Sequence, residues 1–305
     1  MRRLIAVTLC LLAAACSKSP AGPSAAPASP PAAPVTFADF SGLWTVQYRV
    51  TACESHDCYY GLEGSQLAFD LRLQQTGAEV RGLFVERTNL TDVSGRVSTD
   101  GTLLLTGYAP PLSVRDGAFR ITGLTIKRGG APGLQGTLSY ESTPPTYGEG
   151  APWGSRVRGD VLSATRSDLT AFSENLDGLY VGSFIVRSCT STSRYCTPYD
   201  PDGLSEVRLS VARAGSAVSG TFQDGGTLVS LSGTASGQAV DMGGEGLTPQ
   251  SGGATLDRIT NWRATVDAFG RMSGSFHLDH MYPAVAPLVS GSSDCELVRL
   301  VKVRS

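Results

Sequence analysis

Covalent or metal chemistry in this chain would fall to its cysteines and its three histidines. Five cysteines lie in the body: Cys53, Cys58, Cys189, Cys196 and Cys295. Cys53 and Cys58 form one close pair, Cys189 and Cys196 another. In an oxidising compartment each pair is most simply a disulfide. Closing so short a loop adds little entropic stabilisation, so the bridges would act by shaping the loop. His56, between Cys53 and Cys58, could complete a metal-ligand set, but no histidine lies between Cys189 and Cys196. No metal site is expected. Cys295 makes the body count odd, and a Cys189–Cys295 bridge with Cys196 left free is the alternative pairing. His277-x-Asp279-His280 has ligand residue types, yet strand alternation sends His280 to the face opposite the other two. A satisfied surface histidine is expected there. Gly215-Ser216 precedes no helix and is a hairpin, not a nucleophile elbow. No phosphate-cradling glycine loop is found, and no carboxylate pair recurs in both halves. No catalytic residue, no cofactor and no enzymatic activity are expected.

The elements that would position these residues come from a repeat. Arg120-Ile121-Thr122, leading to Gly136, returns as Arg258-Ile259-Thr260 leading to Gly274 at the same spacing. The same offset carries Leu71 to Leu209, Gly77 to Gly215, Ser94-Gly95 to Ser232-Gly233 and Arg166-Ser167 to Arg304-Ser305. Nearer the N-terminus it shortens by two residues, matching Gly42-Leu43-Trp44 to Gly178-Leu179-Tyr180 and Cys53 to Cys189. The chain is a tandem duplication.

Each copy alternates apolar and polar residues. Trp44, Val46, Tyr48 and Val50 share one face, as do Leu67, Phe69, Leu71 and Leu73. Further strands follow at 80–87, 92–98, 102–108, 118–127, 134–141 and 156–166, with Asp100-Gly101 as a two-residue hairpin signal. In the second copy the pattern places them near 179–188, 205–213, 217–223, 227–235, 238–244, 256–266, 271–279 and 295–304. Residues 168–177 join the copies and could form a short helix. Glycine, at 36 of 305 residues, and a charged fraction of 17% suit an all-β chain. A net charge of -2 speaks against a nucleic-acid partner. Eight sequential antiparallel strands with one apolar face hide their edges by closing into an up-and-down barrel. Such a ring is filled by side chains or holds one small ligand. An immunoglobulin-like sandwich is the alternative, but its Cys…Trp…Cys spacing is missing. An integral outer-membrane barrel would need aromatic girdles, and the chain has three tryptophans.

The leader and the strand ends carry two resemblances. Basic Met1-Arg2-Arg3, then an apolar stretch to Ala15, reads as a signal peptide over 1–15. Leu12-Ala13-Ala14-Ala15-Cys16 resembles the lipobox of bacterial lipoproteins, although Ala13 replaces the usual leucine. The resemblance implies acylation of Cys16 and a membrane partner. Ser17, not aspartate, is similar to lipoproteins sent on to the outer membrane. Residues 16–36, rich in Pro and Ala, form a tether that could span about 60 Å. Barrel repeats then occupy 37–167 and 178–305, with 168–177 between them. Gly42-x-Trp44 at the first strand and Arg166 at the last resemble the lipocalins and their avidin-like relatives. There the tryptophan plugs the closed end beneath an arginine. In the second copy Gly178, Tyr180 and Arg304 would do so. The resemblance puts the longest loops at the opposite mouth. Tyr59, Tyr60, Tyr147 and Trp153 would line one rim, and Tyr195, Tyr199, Met281 and Tyr282 the other. The expected function is binding of a small apolar ligand, or of an envelope protein, at that end. Filled barrels that scaffold or block another envelope protein are the alternative.

Overall fold

The computed structural model describes residues 35–54, 62–86, 89–112, 117–128, 134–143, 154–191, 204–250, 253–281 and 290–303. Thr36–Ser305 form one compact unit. Its first half is β1 (Gly42–Glu54), β2 (Gln66–Thr76), β3 (Glu79–Glu86), β4 (Asn89–Val97), β5 (Thr102–Ala109), β6 (Phe119–Arg128), β7 (Leu134–Ser142) and β8 (Ser155–Ser167). Each strand pairs antiparallel with the next, and β8 returns to β1, closing the ring. The second half repeats this with β9 (Gly178–Ser191), β10 (Leu204–Ala214), β11 (Ala217–Asp224), β12 (Thr227–Ser236), β13 (Ala239–Gln250), β14 (Gly253–Val266), β15 (Arg271–Met281) and β16 (Ser290–Val303). There β16 closes on β9. Between the rings lies α1 (Leu169–Glu174), whose N-cap Asp168 accepts from the backbone N–H of Thr170 and Ala171. The expected two-residue hairpin at Asp100-Gly101 is a longer turn, because the Ser98 N–H already bonds the Thr102 carbonyl across it.

Each ring buries its own core. Trp44, Val46, Tyr48, Val50, Phe69, Leu71 and Leu73 all point into the first. Tyr180, Phe184, Val207, Leu209, Phe222 and Phe276 point into the second. The duplicated Arg-Ile-Thr run leads into a β-bulge in both rings, between Ile121 and Gly123 and between Thr260 and Arg263. The extra residue shifts the alternation by one. Leu124 and Trp262 therefore turn inward, continuing Ile121 and Ile259. The run ends at Gly136 and Gly274 because the facing strand comes too close for a side chain there. A Cβ would sit 1.8 Å from the Thr125 carbonyl oxygen, or 2.0 Å from that of Arg263.

Outward positions are also buried where the rings meet. Leu83, Val85 and Leu90 of the first ring pack with Val301 and Phe269 of the second. Arg72 points away from its own core and is fully buried. Its guanidinium donates to the carbonyls of Phe269 (2.6 Å) and Lys302 (2.5 Å) and lies 4.8 Å over the Phe172 ring. Arg271 reaches Asp92 at 3.1 Å, and Arg299 donates to the Pro110 carbonyl.

Replacing Arg72 by methionine would leave two buried carbonyls without this donor, at about 1–3 kcal/mol each. Arg72→Met should destabilise the chain by roughly 2–4 kcal/mol and split one calorimetric unfolding transition into two. A single, unshifted transition in the variant would show that Arg72 does not couple the rings.

Candidate functional site

Gly42, Trp44 and Arg166 meet at the end of the first ring where β1 begins. Trp44 is buried, and its indole Nε1–H donates to the Phe40 carbonyl at 2.8 Å. Arg166 lies 5.4 Å above its ring and pairs with Asp39. In the second ring the Tyr180 hydroxyl donates to the Leu176 carbonyl, also four residues back. Arg304 lies outside the described residues. Lys302 is paired with Tyr180 as Arg166 is with Trp44, and it crowds Gly178 as Arg166 crowds Gly42. A register shift in β16, with Arg299 at φ 54°, moves the cation two residues from its sequence counterpart. Lys302 Nζ donates to the Phe172 and Asn175 carbonyls, and burial lowers its pKa. A cleft of about 1010 Å³ opens beside these residues. Of its charged side chains, Arg166 pairs with Asp39 and Asp267 with Arg271, while Asp168 caps α1.

The loop ends differ more. Of the expected rim, Tyr59, Tyr60, Tyr147, Trp153, Tyr195, Tyr199 and Tyr282 lie outside the described residues. Met281 ends β15 on the face opposite the buried His280. Inside the first ring, aromatic side chains fill this end. Successive centroids run Tyr48–Phe69 (5.6 Å), Phe69–Phe84 (4.7 Å), Phe84–Phe119 (5.9 Å) and Phe119–Tyr140 (5.1 Å). The Tyr48 hydroxyl donates to Glu86 Oε1 at 2.5 Å, and burial, with that carboxylate beside it, pushes the phenol well above its usual range.

The second ring has an aromatic floor at the matching depth, where Trp262 stacks 4.8 Å from Phe276. Its indole Nε1–H finds no acceptor among the described residues. Above that floor the inner face turns polar. Thr248, Thr255, Asp257 and His280 are each at most 2% exposed. His280 Nδ1 lies 2.5 Å from Asp257 Oδ1, with the imidazole N–H as donor, and Thr248 Oγ1 donates to Asp257 Oδ2 at 2.7 Å. Asp257 and His280 face each other across β14 and β15, as do Thr248 and Thr255 across β13 and β14. Thr255 Oγ1 has no hydrogen-bond partner among the described residues. Asp224, two residues beyond the buried Phe222, is half-buried and within electrostatic reach of both Asp257 and His280. Burial, with the Asp257 charge adding and His280 opposing, pushes its carboxyl up to about 6.

One sequence expectation is corrected here. His280 is not a surface histidine: the two faces were told apart, but the buried one is its own. His277, on the outer face, pairs with Asp294 at 2.7 Å and reaches Ser292. A single acid recurs in both halves, since Glu86 and Asp224 share the repeat's offset at the ends of β3 and β11, but the pair does not. By the same offset Asp257 replaces Phe119 and His280 replaces Ser142. Comparing the two copies position by position would have found this exchange. Cys295 is a free, buried thiol. That removes the Cys189–Cys295 pairing. Burial raises the Cys295 thiol to about 12. Among the described residues no group of three His, Cys, Asp or Glu side chains could hold a metal ion.

Fold and site define a protein of two closed, eight-stranded antiparallel barrels in tandem, with a polar inner surface at the loop end of the second. No family model matches the chain, and no curated protein does. Among solved structures it is similar to a protein of unknown function from the DUF3598 family of Nostoc punctiforme. That match covers 87% of this chain and 96% of the other, at 11% identity and a TM-score of 0.19, too slight to carry an argument.

A carboxyl raised on folding stabilises the protein while protonated, and that contribution is lost as pH rises through the folded value. Asp224 should therefore cost stability as pH rises through about 6. Asp224→Asn should remove that decline, so the variant gains on the wild type in urea unfolding from pH about 4 to about 7. Parallel curves over this range would mean that Asp224 is solvated as in the unfolded chain.

Proposed function

We propose that this protein is an envelope lipoprotein whose second barrel binds a small polar molecule at its loop end. The observation that carries the reading is the inward polar surface of Asp224, Thr248, Thr255, Asp257 and His280. Buried polar groups are ordinarily satisfied by partners, and Thr255 Oγ1 has none among the described residues. An apolar ligand, expected from the barrel class, suits neither loop end: one is filled with rings and the other is lined with charge. Acylation of Cys16 anchors the protein in the outer membrane, and residues 16–36 hold the barrels away from it. Cys53–Cys58 and Cys189–Cys196 bridges shape the loops after β1 and β9. The protein is not an enzyme.

The aromatic packing of the first barrel favours a second role for that half, as a rigid module for contact with another envelope protein. A ring filled from Trp44 to Tyr140 presents loops on a fixed frame and has no need of a ligand.

Native mass spectrometry of the mature protein, extracted from its own host's membranes, should find one small molecule per chain, lost in Asp257→Ala. If the wild type carries none, the binding reading fails and the contact role remains. In the same host an alkynyl palmitate should label the chain, and Cys16→Ser should abolish the label and free the protein from the membrane fraction. Retained label in the variant would refute acylation at Cys16.

A further inference from the structure

We propose that the polar surface inside the second barrel is a site for a small organic ammonium ion, held by Asp224, Asp257 and Thr255. This rests on the binding reading above and adds the chemistry of the ligand.

Charge makes the first argument. Two carboxylates, Asp224 and Asp257, share this end of the barrel with one imidazole. Besides His280, the buried bases among the described residues are Arg72, bonded to the Phe269 and Lys302 carbonyls, and Lys302, bonded to those of Phe172 and Asn175. One imidazole can balance at most one of the two acids, and Asp257 is buried. Such a group is stable only beside a cation or several donors.

Hydrogen-bonding capacity makes the second. Asp257 is provided for, with His280 on one oxygen and Thr248 on the other. Among the described residues the Asp224 side chain makes no hydrogen bond, and the buried Thr255 hydroxyl has no partner. A carboxylate and a hydroxyl oxygen are acceptors, and an ammonium head offers three N–H donors with no acceptor of its own. Alternation puts Asp224 and Phe222 on one inner face, and Thr255, Asp257 and Ile259 on another. The alkyl part of the ion would thus descend towards Phe222 and Ile259 while its head stays among the oxygens. No metal-holding triad exists among the described residues, which favours a hydrogen-bonding cation over a bare divalent ion.

The first barrel serves as an internal control. Its matching acid, Glu86, is engaged by the Tyr48 hydroxyl, and Phe119 occupies the position of Asp257. That end requires no cation, so each chain has one site.

Isothermal titration of the mature protein at pH about 7.5 with n-butylammonium, 1,4-diaminobutane, n-butanol and butyrate tests the assignment. One saturable site per chain is expected for an ammonium probe, with none for butanol or butyrate. Asp224→Asn should weaken binding by roughly tenfold or more and Thr255→Val by a few-fold, while Glu86→Gln leaves it unchanged. Circular dichroism checks that each variant is folded. Equal binding of butanol or butyrate, or unchanged affinity in folded Asp224→Asn, overturns the ammonium assignment and leaves the binding reading standing. If no probe binds, the co-purifying molecule decides. A cationic amine supports the proposal, a neutral or anionic molecule overturns it alone, and no molecule at all overturns both.

Discussion

An antiparallel sheet of eight strands has two edges of unpaired backbone, and both halves of this chain remove them by pairing the last strand with the first. Everything else is fitted to that closure. A ring of this strand number leaves an interior about as wide as side chains can fill, so the residues on the inner face decide what the barrel is. The first barrel fills its interior with tyrosine and phenylalanine rings up to the loop end. The second keeps the aromatic floor and replaces the upper layer with acids, hydroxyls and an imidazole. Two exchanges account for most of the difference: phenylalanine for aspartate at Phe119 and Asp257, and serine for histidine at Ser142 and His280. The acid at the end of the third strand is kept in both, yet Glu86 meets a phenol and Asp224 meets charge.

The rings are joined by positions that would be wet on an isolated barrel. Leu83 and Val85 point outward and are buried only because the second barrel covers them. Arg72 is suited to this contact by its planar fork, which reaches two carbonyls from neighbouring turns while stacking on Phe172. The clamp falls on the last residues of β16, the strand that also carries buried Ser293 and Cys295 at its other end. Closure of the second ring and contact between the rings therefore share one strand.

Much of this was legible in the chain, and the places where it was not share a cause. Alternation located all sixteen strands, because successive side chains on a strand point to opposite faces whatever the strand pairs with. It misled wherever a bulge intervened. Trp262 faces the core because Asn261, at φ 53°, takes up an extra residue. Arg304 was aligned with Arg166, but the irregular stretch of β16 around Arg299 gives that place to Lys302. The Leu83-Phe84-Val85 run does break the alternation, a visible sign of burial on both faces that points to no particular partner.

The sequence by itself determined the duplication, the number of strands and their closure in an all-β chain, since these follow from local periodicity and from the matching of two copies. Only the tertiary structure decided that His280 is inside and His277 outside, that Asp224 lies near Asp257, and that Arg72 is buried. Those facts depend on register across neighbouring strands and on the meeting of residues far apart in the chain. A one-residue shift in register exchanges the inner face for the outer one, and no local pattern of residue types carries that information.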